Sequence, residues 1–386
     1  MNRSVSILGA TGSVGLQAAE VAEKQGIAVD LLTANRSVKE MESLSRRLKP
    51  RIVVMADESA AGELRTVLAD TSVKVLSGEG GILDGIAEAG SDTYINAILG
   101  TAGLRPTLEV IGTGKRLALA NKESLVIAGS QIMKLARDKG CEIIPVDSEH
   151  SAIFQSLRSG NPCEIKRIFL TASGGAFYGY SQEELKNVNV SDALDHPTWK
   201  MGKKITVDCA TLINKGFEII EAVHLFSVRE DQIKVLIHRE SVLHSAVEYI
   251  DNTVIGEMSL PDMRSAVEYS LSYPLRRQSV TSPLELDQIG SLTFAPPDTK
   301  AFPLLDLSRA AVRAGGACPA LLNGADEVAA VAFLSGKLPF TAISEVVSHT
   351  YDSFPDASRA ERIDEILSFN SAAMARASEL VDDYSR

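Results

Sequence analysis

The chain has 386 residues, 45% of them hydrophobic and 23% charged, and a formal charge of −11. At roughly 100–200 residues per domain this length suggests two or three domains, and the composition is that of a globular protein able to bury a real core. The acidic balance argues against a nucleic-acid binder, which shows a basic face, but leaves room for an anionic small substrate held by N–H groups and a lysine. The four cysteines (Cys141, Cys163, Cys209, Cys318) are widely spaced, so neither a zinc ribbon nor a disulfide framework is expected, and a reducing cytosol is the simplest setting. No run reaches the ~18 apolar residues of a membrane span, and "MNRSVSILGATG" enters a strand without room for a signal peptide.

Along the first 146 residues, short apolar runs alternate with helical patterns. Val5–Leu8, Val29–Leu32, Ile52–Met55, Val73–Leu76, Tyr94–Leu99, Leu117–Ala120 and Ile143–Val146 have the β-branched, two-faced apolarity of buried parallel strands. The alternation predicts βαβ units and a doubly wound sheet. The first strand runs into "ILGATGSVGLQ", where Gly9, Gly12 and Gly15, with Thr11, Ser13 and Val14 between them, open a helix. Glycines there let a pyrophosphate approach backbone N–H groups at a helix N-terminus. The spacing is one residue wider than the usual dinucleotide fingerprint, and an ordinary tight turn is the alternative. After the second strand come Asn35, Arg36 and Ser37. A cation and a hydroxyl there suit a ribose 2′-phosphate, whereas NAD calls for an acid, and Asp30 falls too early in the strand. NADP is therefore favoured over NAD.

Two polar clusters follow later strands, at the carboxyl edge where open α/β sheets bind ligands. In "LALANKESLV", Asn121, Lys122 and Glu123 either frame the nicotinamide side of a site or simply cap a helix. In "IIPVDSEHSAIFQSL", Asp147 and Glu149 form a hard-cation half-site if the chain stays extended, since alternate side chains share a side. A helix start, with Asp147 or Ser148 as cap, is the competing reading.

The middle third predicts an α+β domain. Ile168–Thr171 and Ile205–Val207 look like strands, and Ser241–Tyr249 with Thr253–Leu260 like a hairpin turning at Asp251-Asn252. Ser173, Gly174 and Gly175 follow a strand and make a second phosphate cradle or a plain turn. "ALDHPTWKMG" has no period yet carries His196, Met201 and the single Trp, Trp199, which suits a lid. If the segment from Leu212 is helical, Asn214 and Glu218 share a face bordered by Lys215. Lys215 could then bind a phosphate and Glu218 add a third oxygen ligand, unless the pair is an ordinary Lys–Glu contact. Tyr273 to Pro303, with five prolines from Pro274 on, is expected to be a linker. The remainder shows three- and four-residue apolar spacing, as in Ile363, Ile366, Leu367, Met374, Ala377 and Val381, and predicts a helical bundle. The expected organisation is thus an α/β chain: a Rossmann-like doubly wound domain over 1–146, an α+β catalytic domain over 147–273 with a lid at 193–201, a linker over 274–303 and a helical domain over 304–386.

Taken in order, "GATGSVG", "ANKESLV", "PVDSEHSAIFQ", "TASGGAF", "HPTWKMGKKITVD", "ATLINKGFE" and "PDMR" resemble the 1-deoxy-D-xylulose 5-phosphate reductoisomerase family over almost the whole chain. The resemblance implies NADPH and Mg²⁺, Mn²⁺ or Co²⁺ as cofactors, a sugar phosphate substrate, and a cytoplasmic homodimer. It implies that Asp147, Glu149 and Glu218 hold the metal. Lys122, Ser148, Glu149, Ser173, His196, Cys209, Asn214, Lys215 and Glu218 are implied at the substrate, with Lys122, Glu149 and His196 taking catalytic roles. For the cofactor it implies Gly9, Thr11, Gly12, Ser13, Val14, Asn35, Arg36, Ser37, Asn121, Glu123 and Gly202. Ser241, His244 and Met263 also match positions near the family's site. One departure stands out: Cys209 occupies a position where the family typically has Ser, and a thiol is the weaker donor. Two other classes remain open at this point. A semialdehyde-type NADP-dependent dehydrogenase would need a base-activated Cys, and a non-catalytic NADP-binding regulator would need no carboxylate trio.

Overall fold

The computed structural model describes residues 4–199 and 201–384. They form two units. One comprises the chain up to Ser124, Ile132–Phe154 and Asp262–Pro283; the other comprises Leu125–Gln131, Gln155–Pro261 and the chain from Leu284 onward.

The first unit is built on seven parallel strands: β1 (Ser4–Leu8), β2 (Ala28–Ala34), β3 (Ile52–Met55), β4 (Lys74–Ser77), β5 (Thr93–Asn96), β6 (Arg116–Leu119) and β7 (Ile143–Pro145). Their order is β4-β3-β2-β1-β5-β6-β7, so the winding reverses between β1 and β5. A ligand crevice opens at such a reversal, beyond the strands' carboxyl ends. The strands are short and apolar on both faces because helices cover both faces. Val5, Ile7, Leu32, Val53, Met55, Ile95 and Ala118 are buried in one cluster, each larger side chain contributing about 1.5–3 kcal/mol of burial. The helix Met263–Ser272 belongs to this unit. Its Val267 and Leu271 join the cluster, and it packs against helix Ser13–Lys24. In sequence it follows the hairpin, within the stretch 147–273 expected to form the central domain, but its apolar face is buried in the first unit.

The second unit contains β8 (Ile165–Ala172), β9 (Ile233–Ile237), β10 (Leu243–Tyr249) and β11 (Val254–Met258), in the order β11-β10-β8-β9. β8 runs parallel to β9 and antiparallel to β10, and β10 pairs antiparallel with β11, so the expected hairpin and mixed sheet are both present. β9, "IKVLI", has no counterpart among the expected strands. Ala295 of the expected linker makes a two-hydrogen-bond bridge to Ile237 at its end. Four long helices, Leu304–Ala314, Cys318–Leu334, Phe340–Asp352 and Ile363–Tyr384, complete the unit.

One expected strand is a helix. Ile205–Val207 lies inside Lys203–Ala210. Three β-branched residues favour a strand, but so short an apolar run cannot distinguish the two states. Tertiary contacts decide it: Lys204 reaches Asp208 one turn on, at 2.7 Å, and pairs with Asp326 of the bundle. Among the described residues no helix is long and apolar enough to cross a membrane.

Candidate active site

In the first unit the glycine loop is held too tightly to admit side chains. Gly9 has φ +82°, and a Cβ on it would lie 2.7 Å from the Ala97 carbonyl oxygen. A Cβ on Gly15 would lie 2.1 Å from the Gly9 carbonyl oxygen. The Gly9 N–H donates to Thr33 Oγ1 at 3.0 Å and the Ala10 N–H to the Thr33 carbonyl at 2.7 Å, tying the loop to β2. Helix Ser13–Lys24 then starts at Gly12 without a side-chain cap, so its first N–H groups are available to an anion.

At the end of β2, Asn35, Arg36 and Ser37 lie beside that loop's strand. Arg36 is 78% exposed in its side chain, with Nε donating to Asp57 Oδ2 at 2.9 Å, so the rest of its guanidinium fork remains for a phosphate. Asp30 is occupied elsewhere: it pairs with Arg51 at 3.1 Å and accepts the Gly90 N–H at 2.9 Å. No acid is thus left at the ribose position by that residue, which fits the NADP reading.

Asn121 follows the helix-cap alternative. Its Oδ1 accepts the Ser124 N–H at 3.0 Å. Its Nδ2 donates to the Ile98 and Gly100 carbonyls and to Glu123 Oε2, at 2.8, 3.0 and 2.9 Å. It thereby fixes the loop after β5, and Glu123 sits in the first turn of helix Lys122–Lys139. Lys122 is buried and its Nζ lies 2.8 Å from Asp147 Oδ2.

Asp147 likewise precedes a helix, Ser148–Ser156, so the extended reading of Val146–Glu149 is replaced by a helix start. Asp147 Oδ1 accepts the Glu149 N–H at 3.3 Å. The turn still brings the two carboxylates together, with oxygens of Asp147 and Glu149 within 4.8 Å of each other. Burial works to raise the Asp147 carboxyl, but Lys122 and His150 outweigh it and hold it well below the usual carboxylate range. Asp147 is therefore ionised at neutral pH. Ser148 Oγ donates to Glu149 Oε2 at 2.5 Å. This is a hard-oxygen donor set with a cation alongside, which fits a divalent ion.

In the second unit, β8 delivers Ser173, Gly174 and Gly175 into a turn with φ +82° and +66° at the two glycines. His196 Nδ1 accepts the N–H groups of Thr198 and Trp199, at 3.2 and 2.9 Å. Its proton is therefore on Nε2, which donates to Ser173 Oγ at 2.9 Å. Ser173 Oγ also accepts the Gly175 N–H at 3.2 Å. Both of its lone-pair sites are used, and its hydroxyl proton is left to donate outward. Burial, helped by Arg239, lowers the His196 pKa from 6.5 to about 4, so the imidazole is neutral.

That shift carries a stability consequence. A folded-state pKa below the unfolded one means the unfolded chain binds the proton more readily. The His196 contribution is present at neutral pH and is lost as pH falls from about 6.5 toward about 4. Thermal melts should therefore drop across that window, and His196→Gln should flatten part of the drop. NMR should find no His196 titration between about pH 5.5 and 8, a window lying wholly above its lowered pKa of about 4.

Helix Ile213–Phe226 carries the third group. Asn214 Nδ2 donates to Glu218 Oε1 at 2.7 Å, and Lys215 pairs with Glu218. All three are buried, Lys215 at 4% and Glu218 at 1% exposure, so each charge depends on the other. Gly216 lets helix Leu304–Ala314 press against this helix, since a Cβ there would lie 2.1 Å from Ser308 Oγ. The Cys209 backbone lies against the glycine turn: a Cβ on Gly175 would meet the Cys209 carbonyl oxygen at 2.5 Å. Gly202 caps helix Lys203–Ala210. Trp199 lies 6.1 Å from His244, ring centre to ring centre, and Ser241 is buried with φ +50°. Met263 begins the helix packed in the first unit. Lys200, in the expected lid, lies outside the described residues. The sequence reading missed Arg239, whose Nη1 donates to the Ser173 and Gly175 carbonyls at 2.9 and 2.8 Å. Recognising β9 was the one signal that would have put "HRES" at a strand end beside Ser173.

Comparison with known proteins bears on both units. Residues 5–129 match the 1-deoxy-D-xylulose 5-phosphate reductoisomerase family, residues 143–226 its C-terminal domain, and residues 258–376 the DXP reductoisomerase C-terminal domain. The 1-deoxy-D-xylulose 5-phosphate reductoisomerase of Acetivibrio thermocellus is 45% identical over 386 residues, covering 99% of this chain and all of the relative (100%). That of Prosthecochloris aestuarii is 44% identical, covering 98% and 99%. Among solved structures, the Zymomonas mobilis enzyme in complex with NADPH superposes with a TM-score of 0.93 at 37% identity, covering 99% of both chains. A DOX-P reductoisomerase in complex with NADPH, fosmidomycin and magnesium gives 0.90 at 36%, covering 98% of both. With the match running through both units at such identity, the chain belongs to the 1-deoxy-D-xylulose 5-phosphate reductoisomerase family.

Proposed function

We propose that this protein rearranges 1-deoxy-D-xylulose 5-phosphate and reduces the product to 2-C-methyl-D-erythritol 4-phosphate, an isoprenoid precursor, using NADPH and a divalent metal. The observation that carries this reading is the full-length likeness to reductoisomerases, one of them solved with NADPH, fosmidomycin and magnesium. It displaces the semialdehyde dehydrogenase and regulator readings. The test is direct: the pure protein should oxidise NADPH when given 1-deoxy-D-xylulose 5-phosphate and Mg²⁺. No oxidation with either one withheld, and none at all with both present, are the supporting and the contradicting results respectively.

Residue roles follow from chemistry. Asp147, Glu149 and Glu218 are assigned to one divalent cation, because three carboxylates suit a hard ion and would otherwise repel. When bound, that cation polarises the substrate's ketone and neighbouring hydroxyl as a Lewis acid, and NADPH supplies the hydride. Lys122 balances the charge of Asp147 and stands with Ser148 at the reacting end of the substrate. Ser173 offers its hydroxyl proton to the phosphate, and neutral His196 holds that hydroxyl in place through Nε2–H. Asn214 and Lys215 complete the phosphate pocket; Lys215 is a cation already desolvated, which strengthens its hold on an anion. Cys209 is left with a lesser contribution through its thiol. The stretch 193–201 serves as the lid that excludes water. Nucleotide binding is assigned to 1–146, metal and substrate to 147–273, and support to the helices of 304–386.

The Gly9–Val14 loop receives the pyrophosphate and Arg36 the 2′-phosphate. Arg36→Ala is therefore expected to raise the KM for NADPH by about tenfold or more, as the loss of a charge-assisted phosphate contact does, with the KM for sugar phosphate nearly unchanged. Equal shifts in steady-state kinetics would move the 2′-phosphate elsewhere. We also assign a homodimer formed along β11, the outermost strand of its sheet, where Val254 is 54% exposed. An unpaired edge is a ready partner for another copy, and sedimentation equilibrium would read the mass. The four unbridged cysteines suit a cytoplasmic setting.

A further inference from the structure

The turn Ser173–Gly175 leaves β8 with two successive left-handed glycines, a conformation that needs something to hold it. Arg239, just past the carboxyl end of β9, supplies the grip: one nitrogen, Nη1, donates to the carbonyls of both Ser173 and Gly175. Its guanidinium also lies over the Tyr178 ring, 5.3 Å from the centroid, which fixes the fork from behind. In a trans peptide the N–H points opposite to the C=O. Turning the Ser173 and Gly175 carbonyls toward Arg239 therefore turns the N–H groups of Gly174 and Ala176 away from it. Neither N–H has a hydrogen-bond partner among the described residues, although Gly174 is buried. A buried N–H without a partner calls for one from outside the chain.

We propose that Arg239 is a positioning residue for the sugar-phosphate end of the substrate: by gripping two carbonyls it aims the N–H groups of Gly174 and Ala176, beside the Ser173 hydroxyl, at the phosphate. The proposal rests on the reading of Ser173 as a phosphate contact. Arg239 itself touches no phosphate in this scheme; its action passes through the backbone. It has a second effect of the same sense, since its charge helps keep His196 neutral and so keeps Nδ1 an acceptor for the Thr198 and Trp199 N–H groups that hold the ring against Ser173. A guanidinium is suited to this because its planar fork loses little freedom when it binds two acceptors.

The test uses the full-length protein labelled with ¹⁵N-glycine and ¹⁵N-alanine, titrated with inorganic phosphate. In the wild type the Gly174 and Ala176 amide signals should move and saturate. In Arg239→Gln the same signals should need about tenfold more phosphate, the cost of losing the charge-assisted bonds that order the donors. Steady-state kinetics of that variant should show the KM for sugar phosphate raised to a similar extent, with kcat and the KM for NADPH close to wild type. Arg239→Lys, which keeps the charge and one donor group but shortens the reach, should recover part of the loss and guards against a glutamine variant that fails to fold. Wild-type amides indifferent to phosphate would overturn the phosphate reading and this proposal with it. A wild-type response reproduced unchanged in Arg239→Gln, or a variant whose kcat falls while KM holds, would overturn the positioning role alone.

Discussion

Glu218→Gln is expected to reduce kcat by about 1,000-fold or more, the scale at which losing a charge that stabilises the reacting centre is felt, while the protein remains folded. The substitution keeps shape and hydrogen-bonding capacity, so Asn214 Nδ2 retains an acceptor in place of its 2.7 Å bond. What it removes is the negative charge. Two consequences are separable. The first is functional: the proposed metal site drops from three carboxylates to two, and the ion binds more weakly. The second is structural: Lys215, 4% exposed, loses its ion pair with Glu218, and breaking a buried pair by removing one partner costs on the order of 3 kcal/mol. The variant should therefore melt lower than wild type. Raising Mg²⁺ should recover part of the activity without restoring the melting temperature. Near-wild-type kcat at ordinary Mg²⁺ would remove Glu218 from the metal site.

Gly15→Ala has the next largest expected effect. In an ordinary helix this change stabilises by about 1 kcal/mol. Here the new Cβ would lie 2.1 Å from the Gly9 carbonyl oxygen and 2.7 Å from Ala10 Cα, so the loop must open. Overpacking of this kind costs roughly 1–3 kcal/mol. The displaced loop also carries the N–H groups assigned to the pyrophosphate, so the KM for NADPH should rise by about tenfold or more, with the KM for sugar phosphate close to wild type. An alanine variant with unchanged cofactor kinetics and a higher melting temperature would mean that the loop is not held as tightly as the geometry requires.

The doubly wound sheet is legible in the chain because its strands are buried on both faces, and burial on both faces writes itself as unbroken apolar runs. All seven expected runs are strands. β9 escapes that logic: "IKVLI" alternates around Lys234 and carries few residues beyond its ends to mark it. Ile205–Val207 misleads for the opposite reason, with the composition of a strand but a helix imposed by Lys204 reaching Asp208 and Asp326. Asp326 is more than a hundred residues away, and nothing local announces it. The placement of Met263–Ser272 in the first unit is non-local in the same way.

At the site, residue types were legible and conformations were not. Asp147 and Glu149 are close together in sequence whichever way the backbone turns, so their pairing survives the change from extended chain to helix start. Asn121 shows the converse. Its position after a strand points equally to a ligand and to a cap, and the Ser124 N–H bond to its Oδ1 gives it the cap's geometry. The tautomer of His196 was out of reach, since it depends on two backbone N–H groups that only the fold of Thr198 and Trp199 supplies. Arg239 had no motif to declare it, because its partners are backbone carbonyls, which every residue possesses.

The claim on which the rest depends is that acidic side chains from two distant segments of sequence share one divalent ion. Titration of the substrate-free protein with Mn²⁺, followed by loss of the free-ion electron paramagnetic resonance signal, reads this directly. One saturable site per chain is expected, weakened by about 100-fold in both Asp147→Asn and Glu218→Gln, since affinity for such ions follows the number of ligand charges. A site that survives Glu218→Gln with its stoichiometry and affinity intact, while Asp147→Asn abolishes it, would contradict the account.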